Sequence, residues 1–258
     1  MGRTFLCALG LYPGRIFCEV TAMPLLQQIR DNLTFFLTCV AIVLALVLLA
    51  RLAERLLKTK RQVSPARRIT IIAMCSAIAM VLYILDFPLL FLAPGIYKLD
   101  FSEVPVLLCG FFLGPSAGVI CEAVKILLKL FLKGTTTAFV GDLANFVVGC
   151  SLVLPTTIVY HIKKSRASAI WGMVLGTACL TGFGTFFNAV YLLPTFAQLY
   201  GMKMENIIAM GTAIHQSVNS VTSFVILCVA PLNLLKGSLV SVLTLLLYKR
   251  IEKPLFRG

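Results

Sequence analysis

Residues Ala93 to Pro105 read APGIYKLDFSEVP, and they lie between two apolar stretches long enough to cross a membrane. A polar, aromatic-bearing loop at that place is where a membrane protein meets a water-soluble ligand. Upstream, Ile69–Leu92 reads as a span with Pro88 near its far end. Downstream, Ser102–Gly114 is short and apolar, Gly114-Pro115 breaks it, and Ser116–Leu132 continues as another helix. Two helices hinged at Gly-Pro fit a re-entering hairpin or two tilted spans.

The composition requires the same solvent. The chain has 258 residues, 59% of them hydrophobic and 13% charged, with a mean hydropathy of +0.97. That charged share is about half the usual ~25%, and a soluble domain of this length cannot hide so much apolar surface. A spanning helix needs roughly 20 apolar residues. Further segments of that kind are Leu33–Leu49, Ala138–Tyr160, Ala167–Leu193, which stops at Pro194, and Val221–Tyr248. Thr195–Ser220 is too polar for lipid and is expected to form an outer loop containing a helix. The fold class is therefore all-α integral membrane: a core of six helices between residues 69 and 250, with one extra transmembrane helix before it. The expected divisions are a poorly ordered extension at 1–22, with Met23 as the native start, then the extra helix and basic linker at 23–65, then the membrane domain at 66–258.

The net charge is +13, and fourteen of the 23 cations fall in three clusters: Arg51 to Arg68, Lys163 to Arg166, and Lys249 to Arg257. These clusters flank spans on one side of the apolar pattern, so both ends of the core and the C-terminus are expected to be cytoplasmic. Loops 93–101, 133–138 and 194–220 then lie outside. The basic balance reports topology rather than nucleic-acid binding, which needs a soluble basic face. Nine cysteines, at positions 7, 18, 39, 75, 109, 121, 150, 179 and 228, form no CxxC pair and sit mostly in apolar runs. Neither a disulfide framework nor a metal site is indicated.

Motifs for catalysis are missing: the sequence holds no GxxxxGK[ST], HExxH or GxSxG. Its two histidines, His161 and His215, fall on opposite faces, the first as a solvated helix end and the second as an outer-loop residue. An enzyme is not expected. The informative side chains are amides and charges at membrane depth. Asn188 sits in GTFFNAVYLLP, and Asn233 and Lys236 in PLNLLKG share one helix face. Carboxamides pair with a lactam or imide edge, and a buried ammonium seeks an acceptor. Two readings stand for them, ligand binding or helix–helix glue and snorkelling; the neighbouring loop favours ligand. Within the loop, Lys98 and Asp100 fit either a solvated pair or ligand contacts, while Tyr97, Leu99 and Phe101 fit a lid. Glu122 and Lys125 are expected to neutralise each other within one helix, with Lys129 on the same helix. Asp142 is expected to cap its helix, and Asn145 to cap or touch ligand. Small residues four apart at Ala73 and Ala77 permit close helix approach, as do Gly110/Gly114/Gly118 and Gly172/Gly176, where internal packing suffices.

From about residue 68 to 254 the chain resembles the substrate-binding (S) subunits of energy-coupling factor vitamin transporters, most of all the riboflavin-specific type. YKLDFSEVP followed by FFLGPSAGV carries the resemblance most specifically, supported by AxxxA at Ala73–Ala77, FFNAVYLLP and PLNLLKG. The resemblance implies a multi-pass protein of the bacterial cell membrane with a pocket opening outward. It implies that Asn188, Asn233 and Lys236 bind ligand, and that Ala73 and Ala77 dock on a transmembrane coupling subunit carried by two ATP-hydrolysing subunits. Riboflavin would be a transported ligand, with no cofactor. The helix at 33–49 departs from the six-helix pattern. Other expectations of the same chain are a subunit for pantothenate or a thiamin precursor, and a membrane enzyme or assembly factor built on Glu122, Asp142 or His215.

Overall fold

The computed structural model describes residues 33–57, 63–95, 97–135, 137 and 139–256. The expected extension at 1–22, the start at Met23, Cys7 and Cys18 lie outside the described residues. The helices are α1 (Leu33–Leu56), α2 (Pro65–Ile84), α3 (Glu103–Leu113), α4 (Pro115–Lys133), α5 (Val140–Lys163) and α6 (Arg166–Phe187). A π-helical turn, Asn188–Leu192, carries α6 on into α7 (Leu193–Leu199). After α8 (Met204–Thr212), α9 (Val221–Phe224) passes through a second π-helical turn, Val225–Val229, into α10 (Ala230–Phe256). Five helical stretches are long and apolar enough to cross a membrane: Leu37–Leu56, Pro65–Ile84, Val140–Lys163, Arg166–Leu199 and Val221–Tyr248. With α3 and α4 they make the expected arrangement, one extra helix before a core of six.

The short helix α3 is the centre of the bundle. Apart from Phe112, every residue from Glu103 to Leu113 is buried, as befits a helix apolar on all sides. Neighbours approach it where side chains are missing. A Cβ on Gly110 would fall 2.5 Å from Thr157 Cγ2 of α5, and one on Gly118 of α4 only 3.3 Å from the Gly110 Cα. Gly172 and Gly176 likewise admit the backbone of α5 at Thr156 and Leu152. The glycine spacings are internal packing. Outward, Leu44, Leu48, Met74, Phe131, Trp171 and Leu246 are exposed, the inverse of a soluble core and natural in lipid.

The hairpin at Gly114-Pro115 is held from two sides. Gly114 takes φ +106°, open to glycine but strained for other residues, and Pro115 starts α4 where its missing N–H costs nothing. Glu54 of α1 accepts a hydrogen bond from the Ser116 N–H at 2.8 Å, and Arg68 of α2 donates to Leu113 O at 3.3 Å and Ser116 Oγ at 2.9 Å. The extra helix thus packs on α4 and α5, with Val43, Leu46, Val47 and Ala50 against Val119, Ile126, Phe146 and Leu154.

The two π-turns explain why helices run through prolines. Each ends two residues before a proline, Pro194 or Pro231, and the last N–H before it bonds five residues back, Leu193 to Asn188 and Ala230 to Val225. The altered register accommodates a ring that would otherwise meet the carbonyl four residues earlier. The helix expected to stop at Pro194 therefore continues to Leu199. In the other direction, the span expected to reach Leu92 ends at Ile84. Residues 85–102 turn back through a two-residue antiparallel pairing of β1 (Phe87–Pro88) with β2 (Lys98–Leu99), in the register Phe87 to Leu99.

Candidate functional site

Helix length decides where the loop sits. With a rise of 1.5 Å per residue, the eleven residues of α3 span about 16 Å, roughly half of a ~30 Å hydrocarbon core. The segment before it must descend into the bundle to meet its start. Irregular backbone at that depth is tolerated where it is buried in protein or lines a cavity. Accordingly Ala93, Leu99, Asp100, Ser102 and Glu103 are all buried.

The descending loop meets α10 and α4 through charge. Lys236 Nζ donates to Asp100 Oδ2 at 2.9 Å and stands 3.1 Å from Glu103 Oε1. Asp100 Oδ1 accepts from the Ser102 N–H at 2.9 Å and from its hydroxyl at 2.5 Å. Lys125 of α4 donates to Ser102 Oγ at 3.0 Å and contacts Glu122 Oε1 at 2.5 Å. The Lys236 ammonium, the Ser102 N–H and the Ser102 hydroxyl all donate to the Asp100 carboxylate and so stabilise its charge in this buried place. Ion pairs at this depth are strongly interdependent, since removing one partner strands the other without water.

A second layer lies along α6. Tyr97 of the loop donates its hydroxyl to Asn188 Oδ1 at 2.9 Å, and Asn188 Nδ2 donates to Gly184 O at 2.7 Å. A Cβ on Gly184 would lie 2.8 Å from Asn233 Nδ2, so Asn233 of α10 lies against the same glycine. Its Nδ2 is buried and has no hydrogen-bond partner in the structure. Leu89, Leu92 and Tyr97 pack with Val218, Phe224 and Ile207, so α8 and the loop form a cover at this end.

The loop, α6 and α10 therefore bring together Tyr97, Leu99, Asp100, Asn188, Asn233 and Lys236. Asn145 stands apart, donating to Tyr83 Oη at 2.9 Å, whose ring lies 5.3 Å from Lys125 Nζ and 6.0 Å from Lys129 Nζ. Lys98 pairs at 3.0 Å with Asp86, half exposed, rather than with Asp100. Asp142 does not cap α5. Thr135 and Thr137 do so, accepting from the Phe139 and Gly141 N–H groups at 3.1 and 3.0 Å, while Asp142 takes the Lys129 ammonium at 2.6 Å. His161 is buried rather than solvated, its Nδ1 2.9 Å from Thr157 O. Glu122, Asp142 and His215 do not converge on one site. Ser102 escaped the sequence reading, which took Glu103 as one of the charges supplied by the loop and gave it no partner; the signal was a carboxylate opening an apolar helix, near Lys125 and Lys236 in the fold. Ala73 and Ala77 are exposed on α2. Among the described residues no group of three or more His, Cys, Asp and Glu side chains is placed to hold a metal, and all described cysteines are free.

Fold and site together define a helical membrane protein in which the loop before α3 meets α6 and α10 through buried amide and charged side chains. Residues 67–248 match the family model described as the ECF transporter, substrate-specific component, and the chain belongs to that family. It is 34% identical over 201 residues to the riboflavin transporter RibU of Staphylococcus aureus (strain TCH60), covering 78% of this chain and 98% of the relative. It is 29% identical over 187 residues to the riboflavin transporter FmnP of Bacillus subtilis (strain 168), covering 72% of this chain and 92% of that protein. A solved S component of a bacterial ECF transporter superposes with a TM-score of 0.58 at 35% identity, over 75% of this chain and 99% of that one.

Proposed function

We propose that this chain is the riboflavin-binding subunit of an ATP-driven uptake transporter of the energy-coupling factor type. It takes the vitamin at the face carrying the 93–101 loop and delivers it in company with a transmembrane coupling subunit and two ATP-hydrolysing subunits. Its C-terminus lies in the cytoplasm, on the side of the three basic clusters. It transports and does no chemistry on the ligand.

The observation that carries the reading is Asn233 Nδ2, a buried donor with no acceptor among the protein's own groups. Such a group costs about 1–3 kcal/mol unless a partner arrives. An isoalloxazine supplies one, because its imide edge alternates carbonyl, N–H and carbonyl. Asn188 offers a carboxamide of the same kind, and Lys236 a cation for a carbonyl oxygen. Leu99, Phe101 and Tyr97 provide apolar surface for the ring. Riboflavin bears no phosphate, which agrees with a site whose lysines are already held by carboxylates rather than one of free arginines. The relatives named riboflavin transporters support the same vitamin.

Riboflavin fluorescence tests this directly. Titrating the purified protein into riboflavin should quench emission to a one-to-one end point, and an excess of pantothenate or a thiamin precursor should leave the end point unchanged. No quenching, or displacement by either competitor, would overturn the assignment.

A further inference from the structure

The charges in the middle of the bundle do not balance. Among the described residues, Asp100, Glu103 and Glu122 face only the cations Lys125 and Lys236. Lys129 and Asp142 form a separate one-to-one pair at 2.6 Å. The other titratable groups at hand are Tyr83 of α2, over whose ring Lys125 sits, and Cys150 of α5, next to the Gly149 on which Glu122 packs. Neither supplies a positive charge. The surplus is one negative charge in a bundle interior, where an uncompensated ion is far costlier than its neutral form.

We propose that Glu122 holds a proton in the folded protein, making the middle of the bundle a proton-binding site beside the ligand site. Hydrogen bonding selects it from the three carboxylates. Asp100 accepts from the Ser102 N–H, the Ser102 hydroxyl and Lys236. Glu103 has two ammoniums on Oε1, Lys236 at 3.1 Å and Lys125 at 3.6 Å, with Oε2 unpartnered. Glu122 is wholly buried, and neither of its oxygens accepts a hydrogen bond; only the Lys125 ammonium is near, against Oε1. Its carboxyl fits into space left by Gly149, where a Cβ would stand 2.5 Å from Oε1. No water-facing side is left to solvate an anion. A proton from water on Oε2 leaves Oε1 on Lys125, and the interior becomes two carboxylates against two ammoniums. Metal ions are a poor substitute, as the acidic side chains are not grouped to ligate one. The site does not depend on the identity of the transported ligand.

Infrared spectroscopy of the full ligand-free chain in lipid reads the proton itself. A carboxyl C=O band that shifts in D2O should be present at neutral pH and disappear reversibly in alkali. Glu122→Gln should remove it while the protein remains folded. Glu103→Gln, which equalises the charges by another route, should remove it as well and serves if the first variant does not assemble. Absence of the band from the parent protein at neutral pH, or its persistence in either folded variant, overturns the proposal. A band abolished by exchanging protons for sodium at constant pH would also overturn it, by making the site one for a metal cation.

Discussion

Gly184 places two amides at once. Its carbonyl receives Asn188 Nδ2 at 2.7 Å, and its missing side chain leaves room for Asn233 Nδ2 and Val148. Gly184→Ala should push Asn233 aside and weaken riboflavin binding about tenfold or more, in line with ~1–3 kcal/mol for a buried polar group that loses its partner. Asn233→Ala should cost similar affinity with little change in thermal stability, since it deletes a donor that no other group of the protein pairs. Lys236→Ala should behave differently. It strands Asp100 and Glu103 together, so a loss of about 3–5 kcal/mol of stability is expected beside the loss of binding. Quenching titrations paired with thermal melts of the three variants separate the two kinds of effect. The binding role of Asn188, Asn233 and Lys236 rests on the family resemblance; as rare polar groups at membrane depth they were legible in the sequence. Their partners were not. Lys236 and Asp100 are 136 positions apart, and nothing in local spacing announces such a contact. Lys98 and Asp100, two positions apart, invited pairing with each other, yet Lys98 stays exposed and meets Asp86, while the chain leaves β2 after Leu99 and Asp100 turns into the interior to meet Lys236.

At the scale of elements, hydrophobic length gave the spans and proline misled about their ends. Apolar runs of about 20 residues report helices through their composition alone. A π-turn leaves no such trace. It keeps the composition and changes only the register, so Pro194 looked like a stop and became part of a continuous helix. The short α3 was legible as an apolar segment cut by Gly114-Pro115, whereas the descent of the loop to meet it follows only from counting its turns. The extra helix was legible as a span, but its docking partner was not. Glu54 lies among seven basic residues between Arg51 and Arg68, where a salt bridge to a neighbour is the ordinary expectation. It instead accepts the Ser116 N–H, a free donor in the first turn of α4, where a carboxylate also complements the helix dipole. Glu54→Ala should cost about 0.5–2 kcal/mol, the usual range for a lost N-terminal cap. Glu54→Gln should recover part of it by keeping an acceptor oxygen. Thermal melts of both variants check this, and equal stability of the two with the parent would show that α1 is held by its apolar face alone.

Over the whole molecule, the arrangement of α1 bears on how transport is driven. An added helix placed over α2 would cover the small residues that the family resemblance assigns to docking. Here α1 packs against α4 and α5 instead. Helix α2 turns Ser76, Ala79 and Met80 inward, and Ala73, Met74, Ala77 and Ile78 remain exposed. Small residues four apart let a partner backbone come close, which a leucine side chain would forbid. Because Ala77 points away from the core and from Asn188, Asn233 and Lys236, Ala77→Leu leaves the ligand site undisturbed. Purified Ala77→Leu should therefore quench riboflavin as the parent does, while cells relying on it for riboflavin should lose most of their uptake. The pairing of the two measurements is what gives the test its force. Lost quenching would mean that α2 shapes the pocket, and full uptake with intact quenching would place the coupling surface on another face of the bundle.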